Sequence, residues 1–191
     1  MIYAHPVPES FCSAVLKSVV RGLEQASHEI RIIDLYSEGF NPVLGEAERR
    51  TYEDVDELPA ELETYFEALA WAEAMIFVYP TWWYGLPAIL KGWLDRVWLP
   101  GVSFELQTET KRMTPKMQHI KKLAVVTTCG APRFFSYMIG EPGRKTILRG
   151  VRALCSPRCK TLFLAHYSMD ASTDDSRSSY LRRVETKLTA F

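Results

Sequence analysis

Ala74-Met75-Ile76-Phe77-Val78-Tyr79 is an unbroken apolar run, and Pro80-Thr81-Trp82-Trp83-Tyr84-Gly85 follows it directly. A continuous apolar run of this length, closed by proline, is the pattern of a parallel strand buried on both faces. Behind it, Leu86, Ile89, Leu90, Trp93, Leu94, Val97 and Trp98 form one broad apolar stripe, with Pro87 in the first turn where proline is tolerated. The spacing predicts a helix over 86–98. Leu123-Ala124-Val125-Val126-Thr127-Thr128 repeats the buried-strand pattern and stops at Cys129-Gly130.

Working outward, Ile2-Tyr3-Ala4 reads as a short strand ending at His5-Pro6, and Glu29 to Ile33 as a second strand. Phe11, Val15, Val19 and Leu23 recur every fourth residue, which predicts a helix over 11–26 with Ser10 as its N-cap. Residues 37–58 are polar and acidic, with Pro42 and Gly45, and read as mostly loop. Pro59 opens a helix to about Trp71, and a further helix is expected within 135–153. Thr161 to Ala165 is the last strand, and Tyr180, Leu181, Val184 and Leu188 mark a closing helix. Strands alternating with helices imply a doubly wound α/β domain. Its five-stranded parallel sheet carries helices on both faces, and 1–191 reads as a single domain.

The composition narrows the chemistry. The 191 residues carry 23 Lys+Arg against 23 Asp+Glu, so bulk basicity offers no surface for nucleic acid. At 47% hydrophobic the chain is too apolar to be disordered, and no run reaches the length of a membrane span. Met1 to Pro6 has no basic or apolar leader region, so the expectation is a cytoplasmic protein. The cysteines at 12, 129, 155 and 159 lack framework spacing and read as free thiols. Cys155 and Cys159 form the single close pair, without the further ligands zinc needs, so no metal is expected.

In open parallel sheets ligands bind outside the carboxyl ends of the strands. That rule selects the loops 5–12, 79–85 and 127–137. The first runs from His5 through Ser10 into a helix N-terminus, where free N–H groups and the helix dipole favour an anion such as phosphate, or else cap the helix alone. The second sets Trp82, Trp83 and Tyr84 side by side. Neighbouring loop residues cannot all face one way, so some line a cleft for a planar ring, or pack a helix or a dimer interface. The third offers the hydroxyls of Thr127 and Thr128 and close backbone approach at Gly130. Together they suit a phosphorylated planar heterocycle, and a flavin is the economical choice.

The long run from Tyr79 through Trp82-Trp83-Tyr84-Gly85-Leu86-Pro87 to Lys91-Gly92-Trp93-Leu94-Asp95-Arg96-Val97 resembles the aromatic loop and following helix of the flavodoxin-like NAD(P)H:quinone oxidoreductases. Ala4-His5-Pro6 with Ser10-Phe11 resembles that family's phosphate loop, and Thr127-Thr128-Cys129-Gly130 its Thr-Thr-Gly-Gly turn. Phe40-Asn41-Pro42 and Pro100 to Phe104 are weaker matches; the resemblance covers about residues 1–170. It implies that His5, Ser10, Phe11 and Cys12 hold a flavin phosphate. Pro80, Thr81, Trp82, Trp83 and Tyr84 would contact the flavin ring, and Thr127, Thr128 and Gly130 its pyrimidine edge. It further implies ping-pong two-electron transfer from NAD(P)H through the flavin to quinones, in a homodimer with the site at the interface. The small form is closer to FMN-binding members, with FAD as the alternative. Cys12 stands where the family usually has Asn, and Cys129 where Gly is usual. Arg133 and Tyr137 are the candidates in the region where some members place a catalytic Tyr and His. The resemblance also admits two other roles: an acidic flavodoxin-type electron carrier, against which the neutral charge argues, and an ancillary subunit of a glutathione-gated potassium efflux system.

Overall fold

The computed structural model describes residues 1–55, 58–107, 109 and 112–191. In chain order the elements are β1 (Ile2–Tyr3), α1 (Phe11–Gln25), β2 (Ile33–Asp34), α2 (Glu46–Arg50), α3 (Glu63–Trp71), β3 (Ala74–Thr81) and α4 (Ala88–Val97). They continue as β4 (Phe104–Glu105), β5 (Thr114–Pro115), β6 (Lys122–Cys129), α5 (Arg133–Ile139), α6 (Pro142–Lys145), β7 (Lys160–His166) and α7 (Asp174–Thr189). Five strands form one parallel sheet in the order β2-β1-β3-β6-β7, while β4 and β5 make a separate small ladder. This is the doubly wound arrangement expected from the alternation of elements. Its register runs Ile33, Ile2, Phe77, Val125, Phe163 across the sheet. The order reverses between β1 and β3, and at such a switch point the loops diverge and leave a crevice at the carboxyl edge.

Side chains alternate between the two faces, as pleating requires. Met75, Phe77, Tyr79, Leu123 and Val125 join the core beneath α3 and α4, with Trp93 fully buried. Ile76, Val78, Ala124, Val126 and Leu164 join the core beneath α1 and α7. Among the described residues no helix is long and apolar enough to cross a membrane.

Two contacts hold α4 to the segment before it. Arg96 is buried; its guanidinium donates to Glu48 at 2.9 Å, to the Asn41 carbonyl at 2.8 Å and to Glu61 at 3.1 Å. One turn earlier, Gly92 lets Pro42 touch the helix: a Cβ there would stand 2.2 Å from the Pro42 carbonyl oxygen. The weaker Phe40-Asn41-Pro42 match therefore marks the place where this loop docks on α4.

Several elements differ from expectation. A second strand is expected at 29–33, but only Ile33 and Asp34 pair with β1; ahead of them the Arg31 carbonyl accepts from the Met1 amino group at 2.7 Å without forming a ladder, and Ile32 is exposed. The 37–58 loop contains α2, a short helix with acids in its first turn, bases in its last and an Arg50–Glu46 ion pair. Its positions 56 and 57 lie outside the described residues. The helix expected within 135–153 is broken. Gly140 (φ 92°) ends α5 in a left-handed conformation, Glu141 is also left-handed, and Pro142 opens α6. The closing helix starts earlier than its apolar stripe suggests, because Thr173 and Ser176 form a capping box ahead of a wholly polar first turn.

Candidate functional site

The loops after β1, β3, β6 and β7 enclose one open cavity of about 1170 Å³ at the carboxyl edge of the sheet. Its wall includes His5, Ser10, Phe11, Cys12, Pro80, Thr81, Trp82, Trp83, Tyr84, Thr128 and Gly130, which are the predicted cofactor residues apart from Thr127. Such a volume slightly exceeds the usual range of small-ligand sites, about 300–1,000 Å³, and leaves room for more than one planar molecule.

The first loop presents unengaged hydrogen-bond donors at a helix N-terminus. Ser10 caps α1 by accepting the Ser13 N–H at 3.1 Å, so its own hydroxyl proton is free to be donated. The N–H groups of Phe11 and Cys12, at the start of this 15-residue helix, have no intrahelical carbonyl to reach. His5 Nδ1 accepts the Val7 N–H at 3.0 Å, which requires that nitrogen to be unprotonated. Burial lowers the His5 pKa in the same direction. The ring is therefore neutral with its proton on Nε2, a donor. Cys12 is buried and its thiol is pushed up to about 12 by burial, so at this position it contributes a backbone N–H and bulk, with no thiolate.

The second loop is a tight turn. Trp83 (φ 48°) and Tyr84 (φ 60°) are both left-handed, and the Gly85 N–H donates back to the Trp82 carbonyl at 2.9 Å. This is a type I′ geometry, usually built from Asn and Gly. Here bulky residues carry it, at roughly 1–2 kcal/mol each. The strain is held by neighbours: the Gly143 N–H donates to the Tyr84 carbonyl, and Gly143 packs on Gly85. Trp83 projects with 96% of its surface exposed, and the Trp82 ring lies 6.1 Å from the His5 ring.

Thr127 is not on the cavity wall. It is buried at the end of β6, donates to the Tyr79 carbonyl at 2.7 Å, and meets the Thr81 hydroxyl at 2.8 Å. With the Thr127 proton engaged, the Thr81 proton points to Thr127, and Thr81 offers a ligand a lone pair. Thr127 thus fixes the orientation of the Thr81 hydroxyl. Arg133 and Tyr137, on α5, also stand off the cavity wall and are exposed.

The cavity wall also includes Cys129, Ala131 and Pro132, within the third predicted loop, and Met169 and Asp170, which lie outside the three loops selected from the sequence. Met169 and Asp170 follow β7, whose carboxyl end lies beside that of β6. The Asp170 carboxylate closes over Gly130: a Cβ at Gly130 would stand 3.0 Å from its Oδ2. Behind Tyr84, Glu141 accepts from the Tyr167 hydroxyl and from Arg144. Burial would raise the Glu141 pKa, but these hydrogen bonds and the charges of Arg144 and Arg133 outweigh it and leave it lowered. All four cysteines are buried free thiols.

A protein-family profile described as a flavodoxin-like fold matches residues 1–188. A ribosyldihydronicotinamide dehydrogenase-like protein of Penicillium crustosum is 34% identical over 119 residues, 53% of this chain and 43% of that protein. The chain spans about half the length of the curated relatives it matches. Among solved structures, Smu.1420 from Streptococcus mutans is 30% identical with a TM-score of 0.85, covering 100% of this chain and 97% of its own. An NAD(P)H:quinone oxidoreductase from Methanothermobacter marburgensis is 26% identical with a TM-score of 0.84, covering 98% and 93%.

Proposed function

Because the chain belongs to the family of flavodoxin-like fold matched over residues 1–188, we propose that it is a flavin-dependent NAD(P)H:quinone oxidoreductase, a single flavin-binding domain over 1–191. One observation carries the reading: a cavity at the switch-point edge has an anion cradle at one end and a strained aromatic turn at the other. A bound flavin would supply two-electron chemistry between NAD(P)H and a quinone-type acceptor.

The chain's own residues bind and orient. His5 Nε2–H, the Ser10 hydroxyl and the Phe11 and Cys12 N–H groups would hold the phosphate of FMN, the preferred cofactor over FAD. Pro80 and Trp82-Trp83-Tyr84 would wall the ring, while the rigid turn fixes the direction of its backbone groups. The Thr81 lone pair, Thr128 and Gly130 would meet the pyrimidine edge, with Thr127 fixing Thr81. The substrate enters from the open side, where Trp83 stands. Four free buried cysteines suit a reducing cytoplasmic location.

A homodimer completes the reading. On α5, Phe134, Phe135, Tyr137, Met138 and Ile139 are all exposed beside the site, an apolar surface that a second copy would cover. Sedimentation velocity tests it. For the activity, the purified protein should be yellow, release FMN on denaturation as identified by mass spectrometry, and reduce a quinone with NAD(P)H. A colourless protein that stays inactive after incubation with FMN or FAD would overturn the proposal.

A further inference from the structure

From 142 to 169 the chain carries six Lys and Arg and no Asp or Glu, although its overall charge is zero. Three of these cations, Arg144, Lys145 and Arg149, wall a groove of about 590 Å³ together with Tyr137, Glu141 and Thr161. Glu141 is the groove's one carboxylate, and it is already engaged by Arg144 and Tyr167. Arg144 is also stacked at 4.6 Å over the Phe163 ring. Lys145 and Arg149 have no ion-pair partner among the described residues. The Lys145 ammonium turns back toward the α5–α6 break, lying 3.0 Å from where a Cβ on Gly140 would stand. The groove therefore holds surplus positive charge with unclaimed donors.

It also adjoins the candidate site. Glu141 and Arg144 line a small internal cleft shared with Thr81, Tyr84 and Cys129, and those three line the main cavity. A molecule with one end against the aromatic turn would have to pass Tyr84 for its other end to reach Lys145 and Arg149. The two donors NADH and NADPH differ by a phosphate monoester on one ribose, a dianion suited to a guanidinium and an ammonium together.

We propose that Lys145 and Arg149 bind the 2′-phosphate of NADPH and make NADPH the preferred donor. This rests on the reductase reading above and adds its donor specificity. NADH has only a hydroxyl at that position and gains nothing from the pair. Charge-assisted contacts of this kind correspond to a preference of about ten-fold to a hundred-fold. Because the Lys145 and Arg149 side chains are exposed, the preference should shrink as ionic strength rises.

The test uses fragments that carry no nicotinamide. Calorimetry of the purified holoprotein with 2′,5′-ADP, 5′-AMP and inorganic phosphate should show 2′,5′-ADP bound at least about ten-fold more tightly than either of the others. The double variant K145Q/R149Q should lose that difference, R149K should keep part of it, and R182Q, an exposed change elsewhere on α7, should keep all of it. The KM ratio of NADH to NADPH should move in parallel, with unfolding midpoints confirming that each variant is folded. Equal binding of 2′,5′-ADP and 5′-AMP by the wild type overturns the assignment. So does a preference that survives K145Q/R149Q, or inorganic phosphate bound as tightly as 2′,5′-ADP. Since the fragments are bound without hydride transfer, a failure of the reductase reading would appear separately, as absent flavin or absent turnover.

Discussion

Gly92→Ala tests how closely the loop before α2 is docked on α4. In an ordinary helix interior the change would stabilise by about 1 kcal/mol, since alanine is the better helix former. At Gly92 the added Cβ would stand 2.2 Å from the Pro42 carbonyl oxygen, 2.4 Å from its Cβ and 2.5 Å from its Cα. Ordinary contact begins near 3.4 Å, so helix and loop must part by about 1 Å. Neither side yields easily. Pro42 is a rigid ring, and the residue before it is tied by the Arg96 bond to the Asn41 carbonyl. Overpacking costs up to about 3 kcal/mol in such settings, which leaves a net loss of about 2 kcal/mol after the helix gain. For a chain of this size that is a fall in Tm of about 4–8 °C, read by circular dichroism. Gly150→Ala is the internal control. Nothing lies within 4 Å of its Cβ position and its φ is −64°, so it should raise Tm slightly. A Gly92→Ala protein as stable as wild type, or stabilised like Gly150→Ala, would refute the close contact.

Arg96→Met should cost about 3 kcal/mol, because Glu48, only 16% exposed, loses its partner. Glu61→Gln should cost under about 1 kcal/mol, because that carboxylate is 65% exposed; urea midpoints of equal size for the two would refute this ranking. Trp83→Gly removes a side chain that buries almost nothing and relieves a left-handed residue. It should raise stability by up to about 1 kcal/mol while weakening flavin binding in a fluorescence titration, and a destabilised variant would contradict the strain argument. For His5, burial lowers the folded-state pKa, so on acidification the unfolded chain takes up the proton first. Its contribution is fully present above about pH 6.5 and is lost as pH falls below it. The urea midpoint of wild type should therefore fall more steeply than that of His5→Gln between about pH 7.5 and 5.5, and parallel curves would sink the idea.

The buried strands were legible because β3 and β6 are flanked on both sides by other strands, and such strands must be apolar throughout. The edge strand β2 was displaced because its pairing is decided by where β1 lies, which its own residues do not encode. The carboxyl-end loops of β1, β3 and β6 are legible because they carry His5, the aromatic run and the threonine pair, whereas Met169 and Asp170 after β7 carry no motif of their own. The type I′ turn was hidden for a different reason. Trp83 and Tyr84 lack the Asn and Gly that announce such a turn, and its conformation is imposed by Gly143 and by the strand end before it. Thr127 was assigned to the ligand because a hydroxyl at a strand end can point either way, and only the Tyr79 carbonyl and the Thr81 hydroxyl decide which.

The burial of every cysteine has a chemical consequence for the proposed acceptors. Quinones are Michael acceptors, and a thiolate at the mouth of a site that handles them would be arylated a little with each encounter. Cys12 and Cys129 line the cavity, yet both are buried, and Cys12 titrates only at about 12. A shielded thiol, and in Cys12 one that burial keeps protonated, is a poor nucleophile. The same packing that buries Cys12 at the start of α1 would leave these two thiols unreactive toward such electrophiles.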